Sequence, residues 1–106
     1  MKLKIIILIA MLSVKATAHE AASGWEYPPH CCTGKDCEQL SDDRVIIFNN
    51  GYMVDGKHFI PFDEPDQWNN LPKPSGDDHF HACWSPIEVE RQYGPRCFFY
   101  PRQLTT

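Results

Sequence analysis

The sequence predicts a small, loop-rich all-β fold: an antiparallel β-meander of about five short strands, preceded by an irregular N-terminal arm tethered through disulfides. Three observations carry that expectation. Apolar runs are short and are separated by turn residues such as Asn49-Asn50-Gly51 and Asp55-Gly56, the pattern of successive hairpins. All nine prolines and all thirteen aromatic residues lie beyond residue 18, in a stretch poor in aliphatics. Five cysteines occupy a chain of 106 residues that opens with an export leader, which reads as a disulfide framework.

The leader has the three parts that signal peptidase requires: Lys2 and Lys4, the apolar run Ile5 to Leu12, and the small-x-small site Ala16-Thr17-Ala18. Residues 1–18 are therefore expected to be a signal peptide, leaving 19–106 as a single small domain in the periplasm or outside the cell. The apolar run is well short of the roughly 20 residues of a membrane-spanning helix, so no membrane span is expected after cleavage. Beyond residue 18 there are 7 basic residues against 14 acidic ones, a balance that repels a phosphate backbone and excludes nucleic acid as a partner. A chain this short also excludes a large hydrolase or a nucleotide-binding domain.

Taken in order, His19 to Ser41 shows no sustained periodicity, and Pro28-Pro29, Gly34 and three clustered cysteines mark it as the irregular arm. Arg44 to Phe48 is the clearest strand. The Asn49-Asn50-Gly51 turn brings Tyr52 to Val54 back against it, and Asp55-Gly56 leads into Lys57 to Phe62. Asp63 to Asp78 is acidic and proline-broken around Trp68, a loop with one helical turn at most. Phe80 to Trp84 and Arg96 to Tyr100 read as the last two strands, with Ile87 to Arg91 either extending the hairpin or forming a short turn. Alternation places Phe80, Ala82 and Trp84 on one face, read as core, and His79, His81 and Cys83 on the other.

Cys31, Cys32 and Cys37 form an N-terminal trio, and Cys83 and Cys97 a C-terminal pair. Five is odd, so at most two bridges form. The preferred layout joins trio to pair and closes loops of about 45 to 65 residues, each stabilising by roughly 3 to 4 kcal/mol in the chain-entropy picture. The competing layout is local: Cys31 or Cys32 with Cys37, and Cys83 with Cys97.

Several stretches together, namely His19-Glu20, Trp25-x-Tyr27-Pro28, CCTGKDC at 31–37, Gly51-Tyr52, Phe59-Ile60-Pro61, His81-x-Cys83 and Arg96-Cys97-Phe98-Phe99 with Pro101, resemble a family of short exported cysteine-containing proteins of alphaproteobacteria. The resemblance implies export and a small disulfide-linked domain. It brings no activity and no catalytic residue.

The residues themselves offer two kinds of site. Cleavage after Ala18 leaves His19 at the N-terminus, where the α-amine and imidazole chelate copper(II), with His79 or His81 as a third ligand and His30 or His58 as substitutes; the ordinary reading is scattered surface histidines on and beside a free tail. Trp25 and Tyr27, on an arm without periodicity, are candidates for an exposed partner-binding surface, against the ordinary reading of aromatic filling in a chain short of leucine. Zinc on Cys31, Cys32, Cys37 and His30 lacks the usual knuckle spacing, C-x-x-C is absent, and no serine lies in G-x-S-x-G. Asp63, Glu64 and Asp66 with Asp77 and Asp78 read as a solvated acidic loop before they read as paired catalytic carboxylates or a calcium site. The expectation is a non-enzymatic exported domain without a cofactor that binds a protein or an envelope component. The alternative is a periplasmic copper-binding protein, and the third reading a small hydrolase or redox enzyme.

Overall fold

Short strands, several of them joined by tight turns, build two sheets. The computed structural model describes residues 20–31, 36–64 and 71–104; the expectations for a signal peptide at 1–18 and for His19, Cys32 and Trp68 fall outside those residues. The strands are β1 (Cys37–Leu40), β2 (Val45–Ile47), β3 (Gly51–Val54), β4 (His58–Pro61), β5 (Lys73–Pro74), β6 (Phe80–Cys83) and β7 (Cys97–Tyr100).

The all-β class holds, but the expected single meander divides into a three-stranded sheet in the order β2-β3-β4 and a four-stranded sheet in the order β1-β6-β7-β5. Only the first is a meander. Its second turn is Asp55-Gly56, with φ of 56° and 68°, closed by the Lys57 N–H on the Val54 carbonyl at 3.0 Å. Positive φ at both central residues is the hairpin turn that matches strand twist, and the second of them is glycine for that reason. In the second sheet β1 and β7 flank β6 antiparallel, while β5 runs parallel to β7. The segment Cys37–Leu40, expected within the irregular arm, is thus a strand, ordered by its pairing with β6. The Ile87 to Arg91 region settles as a 3-10 turn over Glu88–Tyr93.

The two sheets pack through Leu40, Val45, Tyr52, Val54, Ile60, Phe80, Ala82, Trp84 and Phe98. Tyr52 is the centre of this aromatic core, with ring centroids 4.8 Å from Phe98 and 5.9 Å from Phe80. Trp84 is core, as its strand phase implies. The opposite face of β6 is buried too. There Cys83, Cys97 and Phe99 lie beneath Ala21, Tyr27 and Cys31 of the arm, so all four residues of β6 are shielded from water.

The bridges explain how a short arm holds that position. Cys31 bonds Cys97 and Cys37 bonds Cys83, the trio-to-pair layout, even though Cys83 and Cys97 face each other across the β6–β7 register. Cys83 has Cys37 on its other side in the β1 register and takes that partner. Cys97 is left for the arm.

Each bridge spans a long loop, 66 and 46 residues in sequence separation, and restricts the unfolded chain accordingly. Replacing both Cys37 and Cys83 with alanine is expected to lower unfolding stability by about 4 kcal/mol, as measured by urea denaturation of the oxidised variant.

Candidate functional site

The site residues expected from sequence fall at two places, one closed and one open. The closed one lies under the arm. Residues 20–26 double back on themselves, with the Ala21 N–H on the Trp25 carbonyl at 2.7 Å and a bridge between Glu20 and Glu26. That turn drops Trp25 and Tyr27 onto β6. Trp25 stands edge-on to Tyr27 and Phe99 at 5.1 and 5.0 Å and lies 4.9 Å from the His81 ring. Gly76 is required at this contact: any Cβ there would overlap the indole at Cδ1 and Nε1.

Beneath the indole runs a buried polar chain. Tyr27 Oη is 3.0 Å from His81 Nδ1, His81 Nε2 is 2.8 Å from Asp77 Oδ1, and Ser23 Oγ donates to Asp77 Oδ2 at 2.5 Å. Ser75 Oγ also donates to Asp77 Oδ1, and the His79 N–H completes that oxygen's set. Burial alone would raise the Asp77 pKa, but the hydrogen bonds from Ser23, His81 and His79 outweigh it and hold the carboxyl at about 2. Burial pushes the His81 pKa down, against the pull of Asp77. The partners therefore assign the tautomer: an ionised carboxylate only accepts, so His81 donates from Nε2 and accepts the Tyr27 hydroxyl at Nδ1.

This arrangement does not activate a nucleophile. The order is Ser–Asp–His, with the serine proton directed at a carboxylate far too weak to act as a base at neutral pH. Nor is His81 free to hold a metal, because it is fully buried and both ring nitrogens are engaged. The copper reading loses that ligand and keeps His79, whose ring lies 6.4 Å from that of His81, with the substitutes His30 and His58. Tyr27, expected on an exposed surface, is 3 % exposed; its hydroxyl is needed inside by His81. Trp25 is half-buried and forms one wall of an open cleft of about 470 Å³ shared with Asp78, His79 and Arg102, in which Arg102 is paired with Asp78 at 3.3 Å. A second cleft of about 490 Å³ holds Arg44, Lys57, Arg91 and Trp84. There Arg44 is already committed to Asp55 and Glu38 at 2.8 and 3.1 Å.

The open place is the outer face of the β2-β3-β4 sheet, a feature that the sequence reading missed. Ile46, Met53 and Phe59 are direct cross-strand partners, so they share one face, and Phe48 joins them with its ring 6.3 Å from Phe59. Ile46 is 53 % exposed, Phe48 43 % and Phe59 39 %. Ile47, on the core side but at the open edge of the sheet, is exposed as well. The signal was present in Val45-Ile46-Ile47-Phe48: four consecutive apolar residues do not alternate, and a strand without alternation is apolar on both faces.

The closed network makes stability acid-sensitive in two steps. His81 is neutral in the fold with a depressed pKa, so its contribution is whole above the ordinary histidine value of 6.5 and falls as pH drops from there towards the folded-state value. Asp77, lowered from 3.8 to about 2, contributes about 2 kcal/mol that is present above 3.8 and lost as pH falls through 2. Urea midpoints measured against pH should show both declines, and His81→Gln should remove the upper one. Tyr27→Phe, which leaves Nδ1 of His81 without its donor, is expected to cost about 1–3 kcal/mol at neutral pH.

No protein-family model, curated protein or solved structure matches this chain, and its role is read from its geometry.

Proposed function

We propose that this chain is an exported, non-enzymatic domain that binds a protein through the outer face of its β2-β3-β4 sheet. The observation that carries the reading is the row Ile46, Met53 and Phe59 with Phe48, apolar side chains gathered on one exposed face of a small domain. Scattered surface apolar residues are ordinary, whereas contiguous ones mark places where another surface docks. The face is flanked by two open edge strands, β2 and β4.

Charge specifies the partner. β2 and β4 both run antiparallel to β3, so Asp42 and Asp43 before β2 lie at one end of the sheet, and Asp63 and Glu64 after β4 lie at the other. All four are exposed. Arg44 has its charge met by Asp55 and Glu38, which leaves the exposed Lys57 of the β3–β4 turn against Asp42 and Asp43 at that end. An apolar centre between carboxylates suits a basic protein with an apolar patch of its own, and like-charged surfaces are repelled. A chain with 14 acidic residues against 10 basic ones carries the same bias in its long-range field. The closed network under the arm supports the non-enzymatic part of the reading, since its serine, histidine and carboxylate are consumed by one another.

Site-specific photo-crosslinking in the native host tests this. A crosslinker at position 46 or 59 is expected to trap one basic protein, with the yield falling as salt rises and lost in Phe48→Asp, while a crosslinker at Gln39 on the other sheet traps none. Equal products from position 39, or a product that is a second copy of the chain, would refute the assignment.

A further inference from the structure

We propose that the Cys31–Cys97 bridge, once reduced, is a binding site for copper(I), with Cys31 Sγ, Cys97 Sγ and an imidazole nitrogen of His30 as its three ligands. Among the described residues these three ligand atoms all lie within 4.8 Å of one another. The inference is independent of the docking face, which lies on the other sheet.

The chemistry of the donors selects the ion. Two thiolates and one imidazole are soft and borderline donors, which favour copper(I) or zinc over hard cations. Zinc prefers four donors in a closed tetrahedron, and copper(I) is content with three. His30 is exposed, whereas Cys31 and Cys97 are buried, so the histidine stands where an arriving ion first meets the protein. A small opening beside the bridge is lined by these three residues together with Leu71, Lys73 and Phe98. Leu71 and Phe98 provide a dry wall. Two thiolates and one copper(I) leave a net charge of −1, and the Lys73 ammonium at the same opening is of the sign that offsets it.

The step is balanced with a thiol reductant. One small thiol attacks the Sγ–Sγ bond and forms a mixed disulfide, and a second releases it, giving two cysteine thiols and one oxidised reductant disulfide. Copper(I) then displaces both thiol protons and binds both sulfurs, with no change in its own oxidation state. The metal takes over the bridge's mechanical task, since it again joins the arm at Cys31 to β7 at Cys97. Burial does not separate the two bridges, since Cys31, Cys97 and Cys83 are all buried and Cys37 is half-buried; what distinguishes the Cys31–Cys97 bridge is the third donor, His30, within reach of both sulfurs.

The test uses the exported chain, reduced with a thiol without oxygen, with the opened bridge identified by alkylation and peptide mapping, then titrated with copper(I) against a chromogenic copper(I) chelator. One equivalent is expected to bind to the reduced chain and none to the bridged chain, with Cys31 and Cys97 protected from alkylation by the metal. His30→Ala should weaken binding about tenfold or more, a loss of the size seen when a metal site's supporting groups are removed, and Cys32→Ser should leave it unchanged. Binding that survives His30→Ala undiminished, that disappears in Cys32→Ser, or that leaves Cys31 and Cys97 open to alkylation would overturn the assignment. So would a reduced chain that keeps its near-ultraviolet circular dichroism yet takes up no copper.

Discussion

Everything in this fold depends on β6 being buried on both faces. A strand with one face in water needs only a single core, but the sequence Phe80-His81-Ala82-Cys83 has no solvent side in the structure. Phe80 and Ala82 are covered by the other sheet. His81 and Cys83 are covered by the arm, which has little secondary structure of its own and is held by covalent and polar ties. The two disulfides supply the first kind of tie, and the Tyr27–His81–Asp77–Ser23 chain supplies the second. Remove the arm, and an uncharged imidazole with two hydrogen-bonding nitrogens faces water over a row of cysteines and Phe99.

Buried polar groups are tolerated when each is satisfied, and here the satisfaction is nonlocal. Ser23 and Asp77 lie 54 residues apart, as do Tyr27 and His81. The same network that completes the imidazole's hydrogen bonds therefore also fixes where the arm sits, which makes it a register device as well as a stabilising one. The Arg44 seam does similar work at the sheet edge. It joins Glu38 of β1 to Asp55 of the β3–β4 turn, and Trp84 adds its indole N–H to the same Glu38 carboxylate at 2.7 Å. Surface ion pairs contribute little individually, so the seam serves mainly to align the two sheets around the aromatic core.

The parts of this architecture that were legible in the sequence are those with local causes. Asp55-Gly56 could be read as a tight hairpin turn because only certain residues accept positive φ, and Trp84 could be placed in the core from strand phase alone. β1 was not legible: Cys37–Leu40 has no run of β-branched residues, and it becomes a strand through pairing with β6 and the Cys37–Cys83 bridge. β5, two residues beside prolines, exists only because β7 lies alongside it in parallel. At the site, nothing local in the arm shows that Trp25 and Tyr27 turn inward, because the hydroxyl partner that His81 takes lies 54 residues away in sequence. The outer face of the smaller sheet is legible in the unbroken apolar run at 45–48, because a strand without alternation is apolar on both faces.

The two faces of the molecule differ in a way that bears on what it does. Where the arm packs, His81, Ser23, Asp77 and Tyr27 are gathered and spend their hydrogen bonds on one another. Where no arm packs, apolar side chains stay in water although the same chain shows that a face can be covered at small cost in length. The uncovered face carries a solvation penalty of roughly 25 cal/mol for each Å² of apolar surface, and none of the described residues covers it. A surface open to water under that penalty, between carboxylates that discourage contact with a second equally acidic copy, is the physical ground for the proposed partner of opposite charge.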